Sequence, residues 1–307
     1  MLNEPLDILK LHPIRKTKEQ KELFRNDVIR YLRELGYEVH TENCGRSGQN
    51  VVFGPQDSAQ YLVTAHYDTP ATIGIPNVST PCNPLRSGLQ FFITFGLSFG
   101  LSLSAGLLLK SGHILPGIAL FLPILLFLYM VRNGPANLHN ANDNTSGVVT
   151  VLEIARSMPQ VHRNKVCFIL FDLEERGLKG SAAYRKAHKE VTEKQLVLNL
   201  DCVGDGDHLL LMPNKQTRKD TKLMGRLTYL GGWFGKKQIL TIDKGYCAYN
   251  SDHKNFPRAV GIGAYQKKKK TYILDKIHTK RDVNLDMTNV NLLRAALTTL
   301  ICGKAVD

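Results

Sequence analysis

Apolar and polar positions alternate along the chain in two patterns that together predict an α/β fold. Short and nearly continuous apolar runs are typical of strands buried on both faces, and longer segments between them have helical spacing. The predicted strands are YEVHTE, NVVFG, YLVTAHYD, KVCFILFDL, QLVLNLDCVG, HLLLMP and AVGIGAYQ. The helices predicted between them lie near 145–158, 181–190, 218–231 and 288–302. We therefore expect a mixed, mostly parallel sheet sandwiched by helices.

A further helix is predicted near the N-terminus, beginning after Thr17 and ending at Gly36. Thr17 is a suitable N-cap residue, and a glycine is the usual residue just after the end of a helix. One apolar face is expected to pack on the core. It consists of Leu23, Val28, Ile29, Leu32 and Leu35.

Two long apolar runs, at about 88–109 and 113–131, do not fit a soluble α/β domain. Each is long enough to cross a bilayer as a helix, and the prolines in the second run are tolerated in membrane helices. A buried hairpin in a soluble core and a re-entrant hairpin are the alternatives. The pattern favours a transmembrane hairpin at 87–131, inserted into a single domain formed by residues 1–86 and 132–307.

The flanking charges predict how this hairpin is oriented. Arg86 and Arg132 flank the two runs, and we expect no secretory signal peptide, because the first 20 residues have no uninterrupted apolar core. Positive residues favour the cytoplasmic side, and two spans return the chain to the side that it left. We therefore expect a two-pass protein whose main domain and both termini are cytoplasmic. Six scattered cysteines without a CxxC pair fit free thiols in a reducing compartment.

The formal net charge of +13 over 307 residues is unusual and indicates an anionic partner. The sequence has neither zinc-finger spacing nor an aromatic-interleaved basic motif, so we expect no nucleic-acid partner. Four consecutive lysines follow the last predicted strand. Together with the arginines that flank the hairpin, they are candidates for contact with anionic lipid headgroups or acidic peptides. These lysines are Lys267, Lys268, Lys269 and Lys270.

Polar side chains with catalytic chemistry follow several of the apolar strands. His66 and Asp68 are two apart and therefore point to the same side of an extended chain, so Asp68 can orient the imidazole, either directly or through the backbone geometry that it fixes. Taken singly, each such residue could equally be a helix cap, a surface acid or a structural histidine. The other candidates are Asp143, Glu174, Glu175, Asp201 and His278.

Taken together, these residues predict a site for a pair of divalent cations. Two histidines and three carboxylates suit zinc, although cobalt or manganese is also compatible. Two zinc ions would bring four positive charges, and Asp143, Glu175 and Asp201 bring three negative ones. The remaining positive charge would acidify a bound water molecule and polarise a carbonyl group. Glu174 is adjacent to the ligand Glu175 and is free to accept a proton, which predicts a general base.

The order of these motifs resembles the aminopeptidase Y-type di-zinc exopeptidases, a family that also contains glutamate carboxypeptidase and the glutaminyl cyclases. The motifs are HYD, DNTSG, EERGLKGS, NLDCVG, NSDHKNF and IHT, and the resemblance covers about 50–80 and 137–282. It implies a sheet between helices with the site at the strand ends. It also implies that His66, Asp143 and Asp201 bind one zinc ion. The second ion would be bound by Asp143, Glu175 and His278.

The same resemblance implies that Asp68 orients His66, that Glu174 is the base, and that the segment from Ser251 to Phe256 lines the substrate pocket. Within that segment the candidate substrate-binding residues are Ser251, Asp252 and His253. The insertion between Asp68 and Asp143 departs from the family. Because both ends of the insert lead to the site, we expect the cleft to lie near the bilayer surface.

The leading hypothesis from the sequence is a membrane-anchored di-zinc aminopeptidase that hydrolyses N-terminal residues from peptides. A glutaminyl cyclase, for which one zinc suffices, is the alternative from the same fold. A non-catalytic membrane scaffold is a third hypothesis, but such a protein would be expected to lose ligands, and every ligand position is retained.

Overall fold

The computed structural model describes residues 2–72, 78–92, 97–245, 247 and 249–303. Several side chains between 90 and 132 are outside this description. The helices are α1 (Ile8–Leu11), α2 (Lys18–Glu34), α3 (Pro84–Phe91), α4 (Leu97–Lys110), α5 (Ile114–Asn133), α6 (Gly147–Ser157), α7 (Lys179–Ala187), α8 (Lys189–Thr192), α9 (Thr221–Tyr229) and α10 (Met287–Cys302). The strands are β1 (Val39–Asn43), β2 (Gln49–Phe53), β3 (Tyr61–His66), β4 (Val166–Phe171), β5 (Leu196–Leu200), β6 (His208–Pro213), β7 (Gly232–Phe234), β8 (Lys237–Thr241), β9 (Ala259–Lys268) and β10 (Thr271–Ile273).

The strands form one mixed sheet in the order β1-β2-β4-β3-β5-β9-β6-β8-β7, and β10 pairs with β9. The central strands β4, β3, β5 and β9 are parallel to one another. Strand β6 is antiparallel to β9 and parallel to β8, whereas β1, β2, β7 and β10 are joined by antiparallel pairs. The prediction of a mixed α/β sheet with helices is confirmed. The mostly parallel character holds for the centre of the sheet and not for its edges.

Strands β3, β4 and β5 are buried along their whole length, and β9 is buried from Ala259 to Tyr265, because both faces of the sheet are covered. Alternate residues of β4 enter two separate apolar clusters: Phe168 and Leu170 join one, and Cys167 and Ile169 join the other. Burial on both faces explains why the sequences of these strands are nearly continuous apolar runs. The positions of β3, β4 and β6 agree closely with the sequence prediction, whereas β5 (Leu196–Leu200) is half as long as the predicted strand QLVLNLDCVG.

Helix α2 begins at its predicted cap, and its buried face is the predicted one except at Leu23. The Thr17 hydroxyl accepts a hydrogen bond from the Gln20 backbone, and the Gln20 side chain accepts one from the Thr17 backbone. Phe24, Val28 and Leu32 are fully buried, whereas Leu23 is 62% exposed. The prediction for Leu23 is therefore wrong, because an aromatic residue one position later occupies the core-facing position.

Helices α3, α4 and α5 lie between β3 and α6, where the apolar insertion was predicted. The predicted spans at 88–109 and 113–131 include residues 93–96, which lie outside the described residues. Across the residues that are described, no helix combines the length and the apolar character that crossing a membrane requires. Membrane insertion therefore remains a prediction.

The chain enters and leaves this insert through a short antiparallel neck. Ala71 and Ala136 form an isolated bridge, the Thr72 backbone N–H donates to Pro135, and the Asn137 backbone N–H donates to Pro70. The neck begins at Pro70, two residues after the predicted site residue Asp68. On its returning side, Ala136 lies seven residues before Asp143. The insert is thus clamped at its base, close to the ends of the central strands.

Beyond the neck, the segment leading into α3 is attached to the β9–β10 hairpin. Ser79 and Leu274 exchange two backbone hydrogen bonds of 2.7 and 2.9 Å, and the Asn83 side chain donates to the Thr271 hydroxyl at 3.2 Å. The base of α3 therefore lies beside the turn that carries the four lysines.

Candidate metal centre and active site

The candidate site forms where three neighbouring parallel strands end. His66 is the last residue of β3, Glu174 and Glu175 follow β4, and Asp201 directly follows β5. Because β3 lies between β4 and β5 in the sheet, their carboxyl ends meet at one edge. The five predicted ligands and Glu174 are brought together here.

Asp143 lies at the centre of the cluster, between the two histidines. One of its carboxylate oxygens is 3.4 Å from His66 Nε2, and the other is 3.0 Å from His278 Nε2. Its position is set by Asp282, whose carboxylate accepts hydrogen bonds from the backbone N–H groups of Asn142 and Asp143 at 2.7 and 3.0 Å. An aspartate with one oxygen toward each histidine has the arrangement expected of a bridging ligand.

The outer ligands complete two groups around this aspartate. His66 Nε2 is 3.7 Å from Asp201 Oδ1, and His278 Nε2 is 3.5 Å from Glu175 Oε1. Donor atoms of His66, Asp143 and Glu175 lie within 4.8 Å of one another, as do those of His66, Glu174 and Asp201. These spacings are compatible with a cation shared by each group.

Asp68 lies next to His66 but acts mainly on the two glutamates. Its carboxylate accepts hydrogen bonds from the backbone N–H groups of Glu174 and Glu175 at 3.0 and 3.2 Å. The Nδ1 atom of His66 lies 3.1 Å from the backbone oxygen of Asp68 and 3.6 Å from its carboxylate. The orienting partner of His66 is therefore the peptide carbonyl, while the carboxylate fixes the turn after β4.

The cluster holds more negative charge than its own histidines can balance. Burial raises the pKa of Glu174 well above its usual value, and burial raises that of Glu175 to about 8. Burial opposes ionisation of Asp143 too, but hydrogen bonds to His278 and His66 hold its pKa below the usual range. Burial lowers the pKa of His278, yet Glu175 and Asp143 outweigh it and raise the value to about 9.

These residues fit divalent cations. Oxygen and imidazole ligands in this combination are typical of zinc sites. The Oε1 atom of Glu175 is buried and has no hydrogen-bond donor among the described residues, so a cation would supply its missing partner. Buried carboxylates without such a partner would be costly.

Two residues that support the site were not predicted from the sequence. Arg15 is fully buried, and its guanidinium donates to the Tyr67 carbonyl at 2.5 Å and to the Thr145 hydroxyl at 3.0 Å. Asp282, described above, holds the backbone of Asp143. Neither residue belongs to a motif, and Arg15 is separated from its partners by 52 and 130 positions. The sequence therefore carried no signal for either of them.

The predicted substrate-binding segment lies beside the cluster. Ser181 of α7 donates a hydrogen bond to Asp252 at 2.5 Å. Asn199 of β5 donates one to Ser251 at 2.8 Å. The segment is therefore bound both to α7 and to the sheet. Burial raises the pKa of Asp252 to about 7, and this residue interacts electrostatically with Glu174. His253 stacks on Tyr249 with ring centroids 5.6 Å apart.

The predicted membrane-contact residues do not belong to the metal cluster. Arg86 and all four lysines of the β9–β10 turn are exposed, and Lys268 pairs with Asp275 at 3.1 Å. Lys267 lies 5.6 Å from the ring centre of Tyr272. The side chain of Arg132 lies outside the described residues.

Comparison with known proteins supports this reading of the site. A stretch of 67 residues is 43% identical to Aminopeptidase YwaD of Bacillus subtilis (strain 168), and it covers 21% of this chain and 15% of that protein. The chain therefore matches less than a sixth of the length of this curated relative.

Solved structures of low sequence identity share the fold. A Zn-dependent exopeptidase from Parabacteroides distasonis has 16% identity and a TM-score of 0.56, over 92% of this chain and 89% of that one. The glutaminyl cyclase of Porphyromonas gingivalis also has 16% identity, with a TM-score of 0.59 over 93% of this chain and 91% of that one.

The profile of Peptidase family M28 matches residues 129–301, which is more than half of the chain. The match includes Asp143, Glu174, Glu175, Asp201 and His278, the residues that the fold brings together around His66. The chain belongs to Peptidase family M28.

Proposed function

We propose that this protein is a zinc-dependent exopeptidase, most simply an aminopeptidase that releases N-terminal residues from peptides. The observation that carries the proposal is the convergence of two histidines and four carboxylates, from five separate segments, on one buried cluster. Membership of the M28 family and the local identity to an aminopeptidase support the same activity.

The ligand distances support an assignment of residues to two ions. His66, Asp143 and Asp201 would hold one ion. Asp143, Glu175 and His278 would hold the other, with one oxygen of Asp143 directed toward each histidine. When bound, the ions supply Lewis acidity toward a water molecule and the scissile carbonyl. The protein contributes a buried, preorganised carboxylate cage.

Glu174 is the proposed general base. Its backbone is fixed by Asp68, its side chain is buried, and it lies next to the ligand Glu175. A buried carboxylate with a raised pKa can accept a proton from water and return it to the departing amine. In this proposal Asp68 is a positioning residue, and His66 is held by its contact with the Asp68 carbonyl.

The decisive assay uses aminoacyl and peptidyl reporters with free and blocked N-termini, in the presence of zinc. We expect turnover of the free-amine reporters, loss of activity on chelation, and recovery with Zn²⁺; Co²⁺ and Mn²⁺ are tested in parallel. Hydrolysis of N-blocked reporters at the same rate would contradict an aminopeptidase. A complete lack of hydrolysis by zinc-loaded protein would contradict the peptidase assignment.

Glutaminyl cyclisation is the second candidate, because the fold is shared with the Porphyromonas enzyme. It is tested with peptides that begin in glutamine, by following ammonia release and loss of the free amine without chain shortening. Metal analysis gives an independent measurement. Two tightly held zinc ions per chain would favour hydrolysis, and one would favour the cyclase.

We also propose that the insert anchors the enzyme to a bilayer, with the main domain in the cytoplasm. Many described apolar side chains of the insert are exposed, and Lys267–Lys270 form a cationic turn beside its base. A bilayer would cover the apolar groups, and anionic headgroups would complement the lysines. The exposed side chains include Leu85, Leu89, Phe92, Leu103, Leu107, Leu115, Ile118, Leu122 and Tyr129.

Flotation with anionic vesicles tests this anchor. We expect the full chain to float and to resist extraction by high salt and alkaline carbonate. A variant with residues 87–131 replaced by a short glycine-serine linker should remain in the soluble fraction while keeping its zinc content. Recovery of the full chain in the soluble fraction of cells would overturn the proposal. Protease accessibility from the cytoplasmic side tests the orientation.

A further inference from the structure

Two cysteines that are 165 positions apart in the sequence meet in the fold. The sulfurs of Cys82 and Cys247 lie 3.0 Å apart, both residues are half-buried, and neither is in a disulfide. Cys82 lies in the segment that enters α3, and Cys247 lies in the loop between β8 and Ser251. This dithiol therefore joins the base of the insert to the loop that leads into the predicted substrate-binding segment.

A basic cavity of about 520 Å³ opens beside Cys247. Lys215, Arg218 and Lys254 line it, and its described lining residues include no carboxylate. Arg218 is held in place by hydrogen bonds from Nε to the Pro213 carbonyl at 2.9 Å and from Nη1 to the Gly245 carbonyl at 2.7 Å. The guanidinium thus lies against the loop that carries Cys247.

The two thiols differ in how readily they ionise. The contact with Cys82 and the positive charge of Arg218 lower the pKa of Cys247, whereas the contact with Cys247 and burial raise the pKa of Cys82. A thiolate is the nucleophile in disulfide exchange, and a neighbouring second thiol can then resolve the mixed disulfide. Cys247 is therefore suited to attack first, and Cys82 is suited to resolve.

We propose that Cys247 and Cys82 form a redox modification site that reacts with small disulfides carrying carboxylates, which the basic cavity recruits. The Cys247 thiolate attacks one sulfur of the small disulfide and releases the other half as a thiolate. Cys82 then loses its proton to solvent and attacks Cys247 in the mixed disulfide, which releases the second half. The protein is oxidised by two electrons, and the small disulfide is reduced to two thiols.

The resulting bridge would lie close to the metal cluster. Both cysteines pack against an apolar cluster that contains Cys202, Tyr249 and Ile277. Cys202 follows the ligand Asp201, Ile277 precedes the ligand His278, and the Tyr249 hydroxyl donates to the Asp201 carbonyl at 2.8 Å. The thiol chemistry involves neither the predicted metal ligands nor Glu174, so it can be tested without an activity assay.

The test exposes the reduced full chain to oxidised glutathione, which carries carboxylates, and to the neutral hydroxyethyl disulfide. We expect oxidised glutathione to consume two thiols and to yield one cross-link between the Cys82 and Cys247 peptides by mass spectrometry. Cys82→Ser should trap glutathione on Cys247, and Cys247→Ser should not react at this site. Cys302→Ser is the matched control and should still form the cross-link.

The cavity charges are tested by kinetics. Replacing Lys215 and Lys254 with alanine should slow the reaction with oxidised glutathione by about tenfold and leave the neutral disulfide unaffected. Lys219 is exposed and outside the lining, so Lys219→Ala should change neither rate. Retention of all six thiols, or a cross-link to a different cysteine, would overturn the dithiol site. Equal rates for both disulfides in wild-type protein would overturn recruitment by charge.

Discussion

At the scale of single residues, the site depends on two kinds of carboxylate. Some are positioned to bind the cations, and others accept hydrogen bonds from the backbone N–H groups of the ligand residues. Asp68 uses both oxygens on the backbone of the two glutamates, and Asp282 does the same for Asn142 and Asp143. Each pair of hydrogen bonds fixes a turn from which a ligand projects. Preorganisation of this kind lowers the cost of gathering like charges in a small volume.

Replacement of the proposed base separates metal binding from turnover. Glu174→Gln keeps the shape of the side chain but removes its ability to accept a proton, so kcat should fall by about 10²–10⁴-fold. Zinc content, measured by elemental analysis, should not change. Glu190, an exposed acid outside the cluster, provides the control variant Glu190→Gln. An active Glu174→Gln enzyme would show that another group moves the proton.

The residues of the cluster could be predicted because most of them directly follow a recognisable strand or helix signal. His66, Glu175 and Asp201 each end an apolar run, and the parallel order of those runs brings them together. Arg15 and Asp282 could not be predicted, since their roles depend on contacts between segments far apart in the sequence. The partner of His66 was also open, because a peptide carbonyl leaves no trace in the sequence.

At the scale of secondary-structure elements, long periodic segments were predictable and short edge strands were not. Strands β7 and β10 have three residues each, which is too few for an alternating pattern to be recognised. Their positions are set by pairing with β8 and β9. The buried face of α2 was misassigned at Leu23, because Phe24 takes the inward position next to Tyr67, with ring centroids 5.0 Å apart.

The capping box of α2 gives an element-scale prediction. Thr17→Ala removes the hydroxyl that accepts the Gln20 N–H, and it should lower the free energy of unfolding by about 1 kcal/mol. Urea denaturation followed by circular dichroism measures the change. Lys18 is exposed and makes no capping bond in the described structure, so Lys18→Ala should change stability by less than about 0.5 kcal/mol. Equal effects of the two substitutions would argue against the cap.

At the scale of the whole molecule, cations are expected to stabilise the fold. They would neutralise carboxylates drawn from β4, β5 and the segment before α6, so binding and folding are linked. Zinc present at about 100–1,000 times its Kd contributes roughly 3–4 kcal/mol, which for a chain of 307 residues corresponds to an increase in Tm of about 4–6 °C.

Thermal unfolding with zinc and with a chelator measures this increase. Asp143→Asn should abolish the zinc-dependent part of Tm, because Asp143 faces both histidines, whereas Glu174→Gln should retain it. An identical Tm with and without zinc would mean that zinc binding at the cluster does not stabilise the fold.

The neck at Ala71 and Ala136 has a consequence for how such a chain can diversify. The backbone hydrogen bonds of the neck hold the two ends of the insert together next to the ligand residues. A different segment attached beyond the neck therefore need not disturb the ligands. The neck is therefore a position at which the catalytic domain can accept a different insertion, such as a tether, a lid or a recognition module, while its chemistry stays the same. It is also the natural place to exchange this chain's own attachment for another in engineered versions.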